Sequence, residues 1–132
     1  LSTARRRPPR AAVIGLSAVA LLVGCAQEPD PRLLAMTGKA AEGRDLFLRL
    51  DCRTCHTTNG ERGIGPTFLG VFGATHELAD GTVVTVDEPY VRATLRKERR
   101  IPRKGFDPVM PDYSRLTEPQ VASLIEFLRA LK

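Results

Sequence analysis

The sequence predicts a mostly α domain with long loops and one short β-hairpin, closed around a rigid bound object. Three observations predict it. Apolar residues recur at three- and four-residue spacing in three short segments, each opened by a residue suited to capping a helix. The connections between them are rich in glycine and proline, and loops that long in a compact domain serve a function or wrap something. With five Phe, two Tyr and no Trp in 132 residues, the apolar core is thin. A domain so small then needs a disulfide, a metal or a cofactor to close it.

In chain order, residues 1–24 read as a targeting segment. "ARRRPPR" is positive, and "AAVIGLSAVALLVG" is apolar but shorter than the roughly 18–20 residues that span a bilayer. Together they have the form of an export signal. The end of the run, "LVGC", resembles the lipobox of bacterial lipoproteins, where the cysteine becomes the acylated first residue of the mature chain. That resemblance makes 1–24 a lipoprotein signal peptide and Cys25 a lipid anchor. The alternatives are an ordinary signal cut nearby, or an uncleaved anchor with Cys25 as a buried apolar residue. Under each reading the domain is exported and works on the periplasmic side of a bacterial membrane. Residues 25–37, with two prolines in "AQEPDPRLLAM", read as a lipid-anchored tether, and 38–132 as the working domain.

The targeting segment also holds the charge excess. The net charge is +5, yet Arg5, Arg6, Arg7 and Arg10 supply four of the 20 basic residues, and none of the 15 acids precedes Glu28. The rest of the chain is close to neutral, which gives no case for a nucleic-acid partner.

Within the working domain, Thr37 can cap a helix running to about Leu50, with Ala40, Gly43, Leu46, Phe47 and Leu50 on one side. Gly43 is costly inside a helix unless another helix crosses there, with Phe47 packing beside the contact. "NGERGIGP" and "GVFG" are irregular. "LADGTVVTV" reads as a hairpin turning at Asp80-Gly81, with Val84 and Val86 alternating with threonines. Asp87 can cap a second helix bearing Val91 and Leu95. "IPRKGFDPVMP" contains three prolines and cannot be regular. The last helix opens on a capping box, Thr117 to Gln120, and lines up Leu124, Phe127, Leu128 and Leu131.

The chemistry concentrates in "DCRTCHTTNG". Residues three apart face one side of a helical turn, so Cys52 and Cys55 can meet one rigid partner at two points, with the His56 imidazole beside them. Haem fits that demand. Its two vinyl groups take thioether bonds and the histidine reaches the iron, which is the C-x-x-C-H attachment signature. A redox dithiol would need a preceding strand, whereas "GRDLFLRLD" is helical. A structural zinc site would need a fourth ligand, and only His76 remains among the Cys and His residues of the domain. A Cys52–Cys55 disulfide would be strained. One covalent haem c is therefore expected.

For the opposite face of the iron the candidates are His76, Met36 and Met110. Met36 lies in the tether, and His76 reads as a surface residue leading into the hairpin. Met110 is bracketed by Pro108 and Pro111, which stiffen the backbone around it, so it is favoured over its reading as core filler.

Through these residues the chain resembles the class I c-type cytochromes from about Lys39 to Lys132. It is most similar to the cytochrome c domain fused to subunit II of some bacterial haem-copper oxidases. "CRTCH", "GIGPTFLGVFG", "LADGTVVTVDEPYVRATL", "GFDPVMPDY" and "LTEPQVASLIEFLRAL" carry the resemblance. It implies the class I cytochrome c fold, helices and long loops around one haem, with His56 and Met110 as axial ligands and the Pro66 carbonyl orienting the histidine ring. It also implies that the first and last helices cross near Gly43, Phe47 and Phe127. The departure is the absence of a copper-binding domain sequence, so a separate haem module is expected.

Two surfaces remain. Arg92, Arg96, Lys97, Arg99, Arg100, Arg103 and Lys104 are opposed only by Glu98 within residues 92–104. They form either a solvated helix face or a docking patch for an acidic redox partner. Leu69, Val71, Phe72, Val109 and Tyr113 are candidate haem-wall residues, Tyr113 either packing or reaching a haem carboxylate. The expected function is single-electron transfer between respiratory partners, such as a haem-copper oxidase or a quinol-oxidising complex. The competing expectations are a haem enzyme or sensor with a labile sixth ligand, and a fixed haem subunit of a larger complex.

Overall fold

The computed structural model describes residues 30–98 and 101–132. The expected signal peptide, Cys25, Arg99 and Arg100 lie outside the described residues. The elements run α1 (Pro31–Leu34), α2 (Gly38–Arg49), one turn of 3-10 helix (Cys52–Thr54), β1 (Thr75–Glu77), β2 (Val83–Thr85), α3 (Glu88–Leu95) and α4 (Glu118–Ala130). The fold is mostly helical with one two-stranded antiparallel hairpin, as expected. Among the described residues no helix is long and apolar enough to cross a membrane.

The core forms where α2 crosses α4. A Cβ on Gly43 would stand 2.0 Å from the Ser123 carbonyl oxygen and 2.7 Å from Phe127 Cβ, so the two backbones meet only because that side chain is missing. Phe47 packs on Phe127 with ring centroids 5.1 Å apart, and Phe127 is fully buried. Burying a side chain of this size stabilises the fold by ~1.5–3 kcal/mol. Beside the crossing, the buried Ser123 hydroxyl donates to Glu42 Oε2 at 2.9 Å. Val121, Leu124, Ile125, Leu128 and Leu131 complete the inner face of α4. The backbone N–H of Thr117 donates to Gln120 Oε1 at 2.9 Å, so the expected capping interaction starts that helix.

α3 begins where Asp87 Oδ1 accepts the Tyr90 N–H at 2.8 Å, and it buries Val91 and Leu95 against the core. Its outer face is tied to α4 through Glu118, which receives both Arg92 and Arg96, and through Glu88, which pairs with Arg92 and Arg129. Those guanidinium groups hold the Glu88 carboxyl below its ordinary value. The hairpin pairs Thr75 with Thr85, His76 with Val84 and Glu77 with Val83. It turns where Asp80 Oδ1 accepts the Thr82 N–H at 3.0 Å. Its first strand thus lies upstream of Leu78, in residues too polar to show a sheet pattern.

The segment read as tether is, from Asp30 onward, folded against the domain. Arg44 Nη1 donates to the Leu33 carbonyl at 2.8 Å, and Arg32 Nη2 to the Thr58 carbonyl at 3.1 Å. Leu33 and Met36 pack against the core, which gives this stretch an apolar reason to stay down.

Candidate functional site

After α2 the chain turns at Asp51, whose left-handed φ of 54° reverses its path into the 3-10 turn that carries Cys52. Asp tolerates that conformation better than most residues. The Cys55 and His56 amides both donate to the Cys52 carbonyl, at 3.2 and 2.9 Å, which closes the loop of the motif. Neither Cys52 nor Cys55 is in a disulfide. Burial pushes the Cys52 thiol up, opposed by a hydrogen bond from Tyr113.

The glycine-rich loop seats the imidazole. Gly65 N–H donates to the Cys55 carbonyl at 2.8 Å, and a Cβ on Gly65 would stand 2.5 Å from His56 Cε1. Phe68 stacks on the ring at 4.3 Å between centroids. The Pro66 carbonyl oxygen lies 2.8 Å from His56 Nδ1 and can only accept, so Nδ1 carries the proton and Nε2 keeps its lone pair. Burial pushes the His56 pKa down, opposed by the bond to Pro66, so the ring is neutral, the form that binds metal.

These groups open onto a cavity of about 790 Å³, within the roughly 300–1,000 Å³ usual for cofactor sites. Cys52, Cys55, His56, Pro66 and Met110 all line it, so the structure brings together every domain residue expected at the site. Much of its wall is apolar, from Val71, Val86, Leu95, Leu124, Phe127 and Leu128. Of the candidate wall residues, Val71, Val109 and Tyr113 are lining residues, whereas Leu69 and Phe72 lie outside it, Phe72 under the Arg129 guanidinium. Tyr113 O–H points to the Leu50 carbonyl, 3.4 Å away. Met36 packs against the core and does not line the cavity. Among the described residues, no group of three or more His, Cys, Asp or Glu side chains is arranged to hold a bare metal ion.

The cytochrome c family model matches residues 40–132, the stretch that builds this cavity. The chain belongs to the cytochrome c family. A cytochrome c domain with the Cys52–Cys55 pair holds one covalent haem c and carries electrons rather than catalysing a reaction on a substrate. The residues present fit that group: two free thiols, a neutral imidazole with its Nε2 lone pair available, and a large cavity lined mainly by apolar side chains. No curated protein matches the chain.

Some features of this cytochrome c were not read from its sequence. His76, expected at the surface, is half-buried on β1, lines the cavity and lies with Nε2 3.2 Å from the Tyr90 hydroxyl. Arg62 reaches from the loop after the motif to the Gly105 carbonyl and stacks 4.3 Å above the Phe106 ring, bracing the histidine loop against the methionine loop. The basic cluster is divided. Arg92 and Arg96 are engaged by Glu118, and Lys104 by Glu77 at 2.9 Å, while Lys97 and Arg103 line the cavity. The sequence signal for the brace, a basic residue inside a glycine-rich loop, carries no distance information.

Proposed function

We propose that this protein is a monohaem class I cytochrome that passes single electrons between respiratory partners, with His56 and Met110 as its axial ligands. The haem supplies reversible one-electron iron chemistry. His56 offers Nε2 to the cavity while Pro66 fixes the tautomer through Nδ1, and this single arrangement carries the proposal. Met110, half-buried between Pro108 and Pro111, offers a thioether on the same cavity. Sulfur ligation favours the reduced state and raises the potential. Proline on both sides limits how far the methionine backbone can move when the oxidation state changes.

Electrons enter and leave at the cavity rim, where Ile64, Ile101 and Val109 are exposed and Lys97 and Arg103 add positive charge. This face suits an acidic partner, such as a haem-copper oxidase or a quinol-oxidising complex, with the remaining basic residues of 92–104 steering the encounter. Cys25, lipidated, anchors the domain on the periplasmic side of the membrane, and the likeness to the oxidase subunit II domain supports that setting.

The test is the absorption spectrum of the purified holoprotein. Low-spin bands with a sulfur-to-iron charge-transfer band in the ferric form are expected. Met110→Ala keeps the covalent haem, loses that band and lowers the potential. An unchanged band and potential in Met110→Ala would assign the sixth position elsewhere.

A further inference from the structure

The cavity has a second polar corner that His/Met ligation does not use. The hairpin and residues 101–106 build a wall that carries neither cysteine. They are joined by the Leu78–Arg103 bridge, by Ala79 N–H to the Pro102 carbonyl and by Lys104 N–H to the Glu77 carbonyl, both at 2.9 Å. Arg103 is half-buried on this wall, and among the described residues its guanidinium has no hydrogen bond and no ion pair. It lies over the Phe106 ring, whose centroid is 5.7 Å from Cζ. The neighbouring Lys104, by contrast, points outward and is paired with Glu77. Beside Arg103, His76 and Tyr90 form a hydrogen-bonded, edge-on pair backed by buried Val86 and Val91.

Uncompensated positive charge in a part-buried, mostly apolar site is unfavourable unless an anion answers it. Burial and the Arg103 charge together push the His76 pKa down, so the corner is positive and holds back further positive charge. The groups facing His76 are Tyr90 from α3, Arg103 from the following segment and Val84 across the hairpin. No carboxylate is among them. A haem carries its two vinyl groups and its two propionates on opposite edges. Once Cys52 and Cys55 hold the vinyl edge, the carboxylate edge faces away from them.

We infer that the corner formed by Arg103, His76 and Tyr90 receives a haem propionate, with the Arg103 guanidinium as its counter-charge. This rests on the covalent-haem assignment. The site is a carboxylate subsite inside the cavity, and Arg103 acts there as a positioning residue. By placing positive charge beside the haem, Arg103 also favours the ferrous state.

Proton nuclear Overhauser spectra of the ferrous holoprotein test this directly. Cross-peaks are expected from propionate methylene protons to the Tyr90 and His76 ring protons. Redox titration gives an independent readout. Arg103→Gln shifts the redox equilibrium about tenfold toward ferric, ~59 mV for one electron. Arg103→Lys recovers most of that shift, and Lys39→Gln, which removes an equal charge from the exposed start of α2, leaves the potential in place. Propionate cross-peaks confined to other residues, or a wild-type potential in Arg103→Gln, overturn the inference. Should Arg103→Gln fail to mature, the wild-type cross-peaks decide alone. Denatured protein whose mass lacks haem sinks the cofactor reading and this one together. Intact haem without the cross-peaks sinks only this one.

Discussion

At Gly65 a single methyl group would stand 2.5 Å from His56 Cε1 and 2.7 Å from Nδ1, closer than a Cβ is found to any atom. Gly65→Ala must therefore displace the loop or turn the ring away from the Pro66 carbonyl. Overpacking of this kind costs ~1–3 kcal/mol. Losing the carbonyl partner also makes the imidazole a weaker donor to iron, which disfavours the ferric state. The expected variant keeps covalent haem, melts lower and titrates at a higher potential. A melting curve and potential equal to wild type would mean the loop yields freely. The contact also shows what was readable at this scale. Cys52, Cys55 and His56 could be named because covalent attachment demands a fixed spacing. Met110 could be named because two prolines bracket it, and Pro66 through family resemblance. Phe68 stacking on His56, Arg62 over Phe106 and the inward turn of His76 depend on how distant loops meet, and no local spacing encodes that.

Among the elements, α3 ends in a way its residues do not favour. Glu98 N–H donates to the Ala93 carbonyl at 2.9 Å and Lys97 N–H to the Thr94 carbonyl at 3.2 Å, the double closure of a Schellman motif. That geometry puts Lys97 at φ 53°, where glycine is the usual occupant. The left-handed conformation costs a side-chain-bearing residue ~1–2 kcal/mol, and glycine's extra freedom in the unfolded chain returns ~0.5–1 kcal/mol of that. Lys97→Gly is expected to stabilise the holoprotein by ~0.5–1 kcal/mol, raising Tm at about 4–8 °C per kcal/mol. A lower Tm would show that the Lys97 side chain contributes more at the cavity than its backbone costs. The start of α3 was readable from Asp87, but its end was not, since "LRKERR" holds no glycine or proline to mark a stop. Similarly, α2 and α4 announced themselves through caps and apolar periodicity, whereas α1 is too short for a period and β1 too polar for an alternation.

For the whole molecule, the question is what holds the two halves together. The α2–α4 crossing is a dry contact of buried side chains, closed by Gly43 and Phe127. The hairpin, residues 101–106 and the Met110 loop hang around the 790 Å³ cavity, attached by backbone bonds and by the Arg62 brace. A cavity of that size leaves its lining without packing partners, and lost contacts of this kind are what make core truncations costly. The covalent haem, once in place, supplies those partners to both halves at the same time. Replacing both anchors, Cys52→Ala with Cys55→Ala, is therefore expected to leave α2 and α4 partly helical by far-ultraviolet dichroism. Near-ultraviolet dichroism should fall away, and heating should give a broad, non-cooperative loss of signal. The holoprotein should instead melt in one sharp transition. A sharp calorimetric peak in the double variant would show that the polypeptide closes its own core, and that the loops are shaped by their sequence rather than by what they enclose.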